Sequence, residues 1–80
     1  MEYWIQSHNR EIWIPQAGNE WQACMLALYD LLTQYPDENP AKQFVVKQHN
    51  KKDRYIDLSV VVNLCILNGQ YLEDKANAEN

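Results

Sequence analysis

Glycine and cysteine are scarce in this chain of 80 residues, with two of each, and there are only three prolines. The two glycines, Gly18 and Gly69, leave no Gly-rich loop to cradle a phosphate and no collagen-like repeat. The two cysteines, Cys24 and Cys65, lie 41 positions apart, with neither a CxxC spacing nor a nearby histidine. That excludes the multi-bridge framework of small secreted domains and a cysteine zinc site. The pair reads as two buried thiols in a reducing cytosol rather than as one disulfide, so the expected location is cytoplasmic. Long apolar runs are also missing. The most apolar stretch, Leu58 to Leu67, is broken by Ser59 and Asn63. It is about half the length a membrane span needs, and no membrane association is expected. Residues 1–15 carry Glu2, Gln6, His8, Arg10 and Glu11, so they form no signal-type apolar region. Basic residues are few as well: seven against eleven acids, for a net charge of −4.

What is present is apolar and aromatic. The chain is 46% hydrophobic, with three Trp, five Tyr and one Phe, which sets it apart from disordered sequences. Its length allows one domain with a thin core and excludes a TIM barrel or a two-domain nucleotide-binding enzyme. The expected domain covers residues 1–72. Residues 73–80 lack apolar anchors and read as a disordered tail.

Residues 3–14 read as a β-hairpin, because Tyr3, Trp4, Ile5, Ile12, Trp13 and Ile14 are strand formers around a polar interruption. A turn centred on His8 and Asn9 sets Tyr3 opposite Ile14, Trp4 opposite Trp13, Ile5 opposite Ile12, and Gln6 opposite Glu11. That register sorts Tyr3, Ile5, Ile12 and Ile14 onto one face and the two tryptophans onto the other; a slip by one residue mixes them. Residues 20–35 read as a helix capped by Asn19, with Glu20 in its first turn and Pro36 as its stop. Helical spacing puts Trp21, Cys24, Met25, Leu28, Leu31, Leu32 and Tyr35 on the expected core stripe. It puts Gln22, Ala23, Leu26, Asp30, Thr33 and Gln34 on the far side, with Tyr29 at the edge. After the turn-rich loop 36–41, a second hairpin is expected, with strands near Gln43–Gln48 and Arg54–Leu58.

The segment after Leu58 satisfies two patterns. Its even positions, Ile56 to Ile66, are all apolar, as in a strand. Ser59 as a cap and Asn68-Gly69 as a stop read as a helix. A straight strand from Arg54 to Leu67 would run about 46 Å, against a domain about 30 Å across, so the segment must bend or change type. The expected fold class is α+β: a small single domain of antiparallel β-hairpins packed on one amphipathic helix, ββαββ followed by a second helix or a bent strand.

Charge placement is the most informative feature for function. Lys42, Lys47, Lys51, Lys52 and Arg54, with Asp53 the only acid among them, give residues 42–54 about +4 and leave about −8 on the rest. With Phe44 and Tyr55 beside it, this basic hairpin is a candidate nucleic-acid contact; solvated strand-edge guards are the plainer explanation. The second feature is the Trp4/Trp13 pair, which lies on an outer face if the helix packs on the other. Exposed Trp is enriched at binding hot spots, and Leu26 and Tyr29 would extend such a surface. His8 and His49 sit in turns without metal-ligand spacing. Asp37 and Glu38 lie in the loop that ends the helix. Asp57, Ser59 and His49 form no triad that spacing supports. No cofactor, metal or catalytic residue is expected. The expected function is that of a non-enzymatic protein-binding module acting on another protein. Inhibitors, antitoxins, immunity proteins, adaptors and small phage or mobile-element proteins are of this kind, and homodimerisation is a related outcome. The alternative is a nucleic-acid-binding domain using hairpin 42–54.

Overall fold

The computed structural model describes residues 1–78, and the surroundings of side chains as far as Gly69. In chain order the elements are β1 (Tyr3–Ser7), β2 (Arg10–Ile14), α1 (Glu20–Gln34), β3 (Gln43–Lys47), β4 (Arg54–Asp57) and α2 (Leu58–Ala78). The four strands form one antiparallel sheet in the order β2-β1-β3-β4. The β1–β2 register is Tyr3↔Ile14, Trp4↔Trp13, Ile5↔Ile12 and Gln6↔Glu11, as the alternation requires. His8 turns the hairpin with φ at 54°, in the left-handed region, and its Nε2 lies 3.3 Å from the carbonyl oxygen of Asn39.

One face of the sheet is dry. Tyr3, Ile5, Ile14, Phe44, Val46 and Ile56 are buried there, with Ile12 packed against them. Ser7 is the one buried polar residue on this face, and its hydroxyl accepts the Ala41 N–H at 2.9 Å. α1 covers this face. Asn19 is its cap, with extended backbone and Oδ1 accepting the Gln22 N–H at 2.9 Å, and Glu20 sits in the first turn. The helix ends at Gln34, and the Tyr35 N–H donates to the Leu31 carbonyl at 2.8 Å just before Pro36.

The buried stripe of α1 keeps Cys24, Leu28 and Leu31 of the expected one but is rotated from it. It consists of Ala23, Cys24, Ala27, Leu28 and Leu31, whereas Trp21 and Leu32 are exposed by 43% and 51%. Met25 and Tyr35 are half-buried. The helix is turned so that two alanines face the core, where their small side chains let the backbone approach the sheet.

Beyond β4 the chain changes type, so the strand-then-helix reading holds and the bent strand does not. α2 follows β4 directly, and the Leu58 N–H donates to the Lys42 carbonyl at 2.8 Å. Ser59 is therefore inside the helix and not its cap. Asn68-Gly69 is no stop either: the helix passes through it, and no glycine adopts positive φ, as a left-handed cap requires. Val61 is fully buried, while Leu58 and Cys65 pack against the core, which is a helical spacing. Even-numbered Val60, Val62 and Ile66 are exposed, so the apparent alternation carries no strand. The expected tail, residues 73–80, lies beyond the last described side chain, and residues 79 and 80 lie outside the described residues. Both cysteines are free, Cys24 buried and Cys65 half-buried. Burial pushes the Cys24 thiol up to about 12, and raises Cys65 too, so neither is a ready thiolate. No described helix is long and apolar enough to cross a membrane.

Candidate protein-binding surface

The helices pack on one side of the sheet, which leaves the other side as an outer face. Strand register alone sets out what it carries. One row runs Trp13–Trp4–Lys47 across β2, β1 and β3. The next runs Glu11–Gln6–Val45–Tyr55 across all four strands. Trp13 is 58% exposed and Tyr55 62%, while Trp4 and Val45 are half-buried. The expected separation of the Trp pair from the core face is therefore present.

Polar contacts hold these aromatics in place. The Trp13 indole N–H donates to Glu2 Oε2 at 2.7 Å. The Trp4 and His49 rings meet edge to face, with centroids 5.0 Å apart. Lys47 Nζ lies 4.0 Å from Glu11 Oε2, a loose ion pair above the strands. Trp4, Glu11, Lys47, His49 and Asp53 line a shallow depression of about 330 Å³ at the end of this face. The result is a flat aromatic patch with charges of both signs at its edges. Sequence reasoning found the two tryptophans but not the rows, because Val45 joins them only through the β1–β3 pairing. The alternation of buried Phe44 and Val46 around Val45 was the available signal.

Leu26 and Tyr29 do not extend this patch. Both are exposed on α1, at 43% and 73%, on the helical side of the molecule. The expectation that they continue the Trp surface is corrected by the position of α1 against the opposite sheet face. The four residues occupy two separate surfaces.

The basic hairpin is also divided. Arg54 is part-buried, donating from Nε to Glu20 Oε2 at 2.7 Å and from Nη2 to Gln48 Oε1. It ties β4 to the start of α1. Lys47 belongs to the Trp4 row. Lys51 and Lys52 are exposed in the turn, while Lys42 lies beyond the opposite end of β3. Phe44 is fully buried, so it offers no ring for a base to stack on.

His49, Asp57 and Ser59 are not brought together. His49 follows the end of β3, whereas Asp57 pairs with Gln43 at its start, where Gln43 Nε2 donates to its carboxylate at 3.1 Å. Glu38, read from the sequence as part of a helix-ending loop, has a definite partner. Its carboxylate accepts two hydrogen bonds from Arg10, at 3.0 and 2.8 Å, and Arg10 lies 3.5 Å above the Tyr35 ring. The charge-assisted bonds hold the Glu38 carboxyl below its ordinary range. Among the described residues, no three His, Cys, Asp or Glu side chains are grouped as a metal site would need.

No protein-family model matches the chain, and no curated protein or solved structure is significantly similar to it.

Proposed function

We propose that this chain is a small non-enzymatic domain that binds another protein through the outer face of its sheet. The observation that carries the reading is the Trp13–Trp4–Lys47 row lying on the side away from both helices. Large rigid aromatics with polar groups at their edges are what protein interfaces concentrate at their centres. Glu2, Glu11 and Lys47 around the patch favour a partner with charges of both signs, and the acidic remainder of the chain favours a basic groove on it. Inhibitors, antitoxins, immunity proteins and phage-encoded blockers of host complexes act in this way, in the cytoplasm.

The nucleic-acid alternative rests on hairpin 42–54. It is weakened by the engagement of Arg54 with Glu20 and of Lys47 with Glu11, which leaves Lys51 and Lys52 at the tip. Affinity capture from the source cell's lysate after nuclease treatment tests the proposal. A stoichiometric protein should remain with the wild-type chain. Trp13→Ala should weaken that complex by more than ~1 kcal/mol while the domain stays folded. Loss of all captured material with nuclease, together with salt-sensitive oligonucleotide binding that Lys51→Ala and Lys52→Ala weaken, would select the alternative.

A further inference from the structure

Most carboxylates of residues 1–69 are held by a side-chain donor. Glu2 accepts from Trp13, Glu20 from Arg54, Asp30 from Gln34, Glu38 from Arg10 and Asp57 from Gln43. Among the described residues, Glu11, Asp37 and Asp53 accept no such bond. Asp37 lies in the exposed loop after α1. Glu11 and Asp53 come from different places, β2 and the segment between β3 and β4. Both nevertheless line the depression of about 330 Å³ at the end of the outer sheet face.

The same depression has an aromatic wall. Trp4 is half-buried there, and His49 meets it edge to face with ring centroids 5.0 Å apart. The one basic side chain in the lining is Lys47, whose Nζ lies 4.0 Å from Glu11 Oε2, beyond hydrogen-bond range. Unbonded carboxylates beside an indole suit a planar cation. A guanidinium stacks on the ring while its N–H fork donates to a carboxylate, whereas an ammonium is a single point charge. We infer that this depression is the seat of an arginine side chain presented by the protein partner. It rests on the proposed binding face and names the chemistry that this end of the face recognises.

Charge selects the occupant. An acidic side chain would meet two unbonded carboxylates, and an apolar one would cover them without supplying a donor. A basic side chain does neither, and it takes over from Lys47 a carboxylate that Lys47 holds only loosely. Lys51 and Lys52 lie in the same turn but do not line the depression. They stand at its rim, where an acidic neighbour of the partner's arginine is matched.

The test is an NMR titration of the full chain with N-acetyl-arginine amide, at an ionic strength held constant with sodium chloride. N-acetyl-citrulline amide serves as the neutral isostere. The Trp4 indole signal should move saturably, with a dissociation constant on the order of 10 mM for a single side chain. The citrulline amide should bind at least about tenfold more weakly, since it keeps the shape and loses the charge. Glu11→Gln combined with Asp53→Asn should weaken arginine binding about tenfold, and Asp37→Asn should leave it unchanged. A Trp4 signal that does not saturate, equal binding of the citrulline amide, or a double variant that binds as the wild type does would overturn the inference. So would an Asp37→Asn variant as weak as the double one. Failure here is distinct from failure of the proposed function. A chain that ignores the arginine amide yet captures a protein through Trp13 keeps the binding face and loses this seat. A chain that seats the amide as described but captures no protein supports the seat and overturns the proposed function.

Discussion

Arg10 and Glu38 show how single residues hold the ends of this small fold. Their paired hydrogen bonds join the start of β2 to the loop after α1, with the Tyr35 ring beneath the guanidinium. The Glu38 carboxyl is held below its ordinary range mainly by the Arg10 hydrogen bonds. A carboxylate whose folded value is depressed stabilises the fold above its unfolded value, and that gain is lost as pH falls through the folded one. Thermal melts of wild type and Glu38→Gln should therefore differ at neutral pH and converge in acid, below the ordinary glutamate range. A gap that persists in strong acid would contradict the assignment. Pairings of this kind were not readable from the sequence. Glu38 looked like one of several loop polars, and only the placement of the β1–β2 turn near that loop gives it a partner. Asn19 was readable, because a cap acts locally and needs only the helix it starts.

At the scale of elements, the β1–β2 hairpin was readable to the residue. Two strands with matched alternation and a polar turn allow one register that keeps the tryptophans off the core face. α1 was readable in extent but not in rotation. Its largest side chains drew the expected stripe toward Trp21 and Leu32, whereas burial went to Ala23 and Ala27, where the helix lies near the sheet. Leu28 belongs to both versions, being 95% covered, and Leu32 only to the expected one. Leu28→Ala should cost about 2–5 kcal/mol of stability as a core cavity. Leu32→Ala should cost well under about 1 kcal/mol, since the side chain is half in water. Urea denaturation of the two variants checks both values; equal losses would restore the expected stripe. α2 was ambiguous for a physical reason. An uncharged run of Leu, Val and Ile satisfies period two and period 3.6 together, and the choice between them is made by packing against α1 and β4.

For the whole molecule, the decisive fact is that two helices share one side of a four-stranded sheet. This placement turns a Trp pair into an outer surface and sends Leu26 and Tyr29 to the far side. It could not be read from the sequence, because the β1–β3 pairing that completes the outer rows joins strands separated by α1. It also divides the charge: what looks in sequence like one basic hairpin is an interior tie at Arg54, a member of the Trp row at Lys47, and two exposed lysines at the tip. A foreign partner is therefore expected on the outer face of the sheet and not on the helical side. The most direct test is a photo-crosslinking amino acid placed at Trp13 in one variant and at Tyr29 in another, with each irradiated in nuclease-treated lysate of the source cell. A discrete adduct with a different protein from position 13, and none from position 29, is the predicted result. The reverse pattern would contradict the assignment of the outer sheet face as the binding surface.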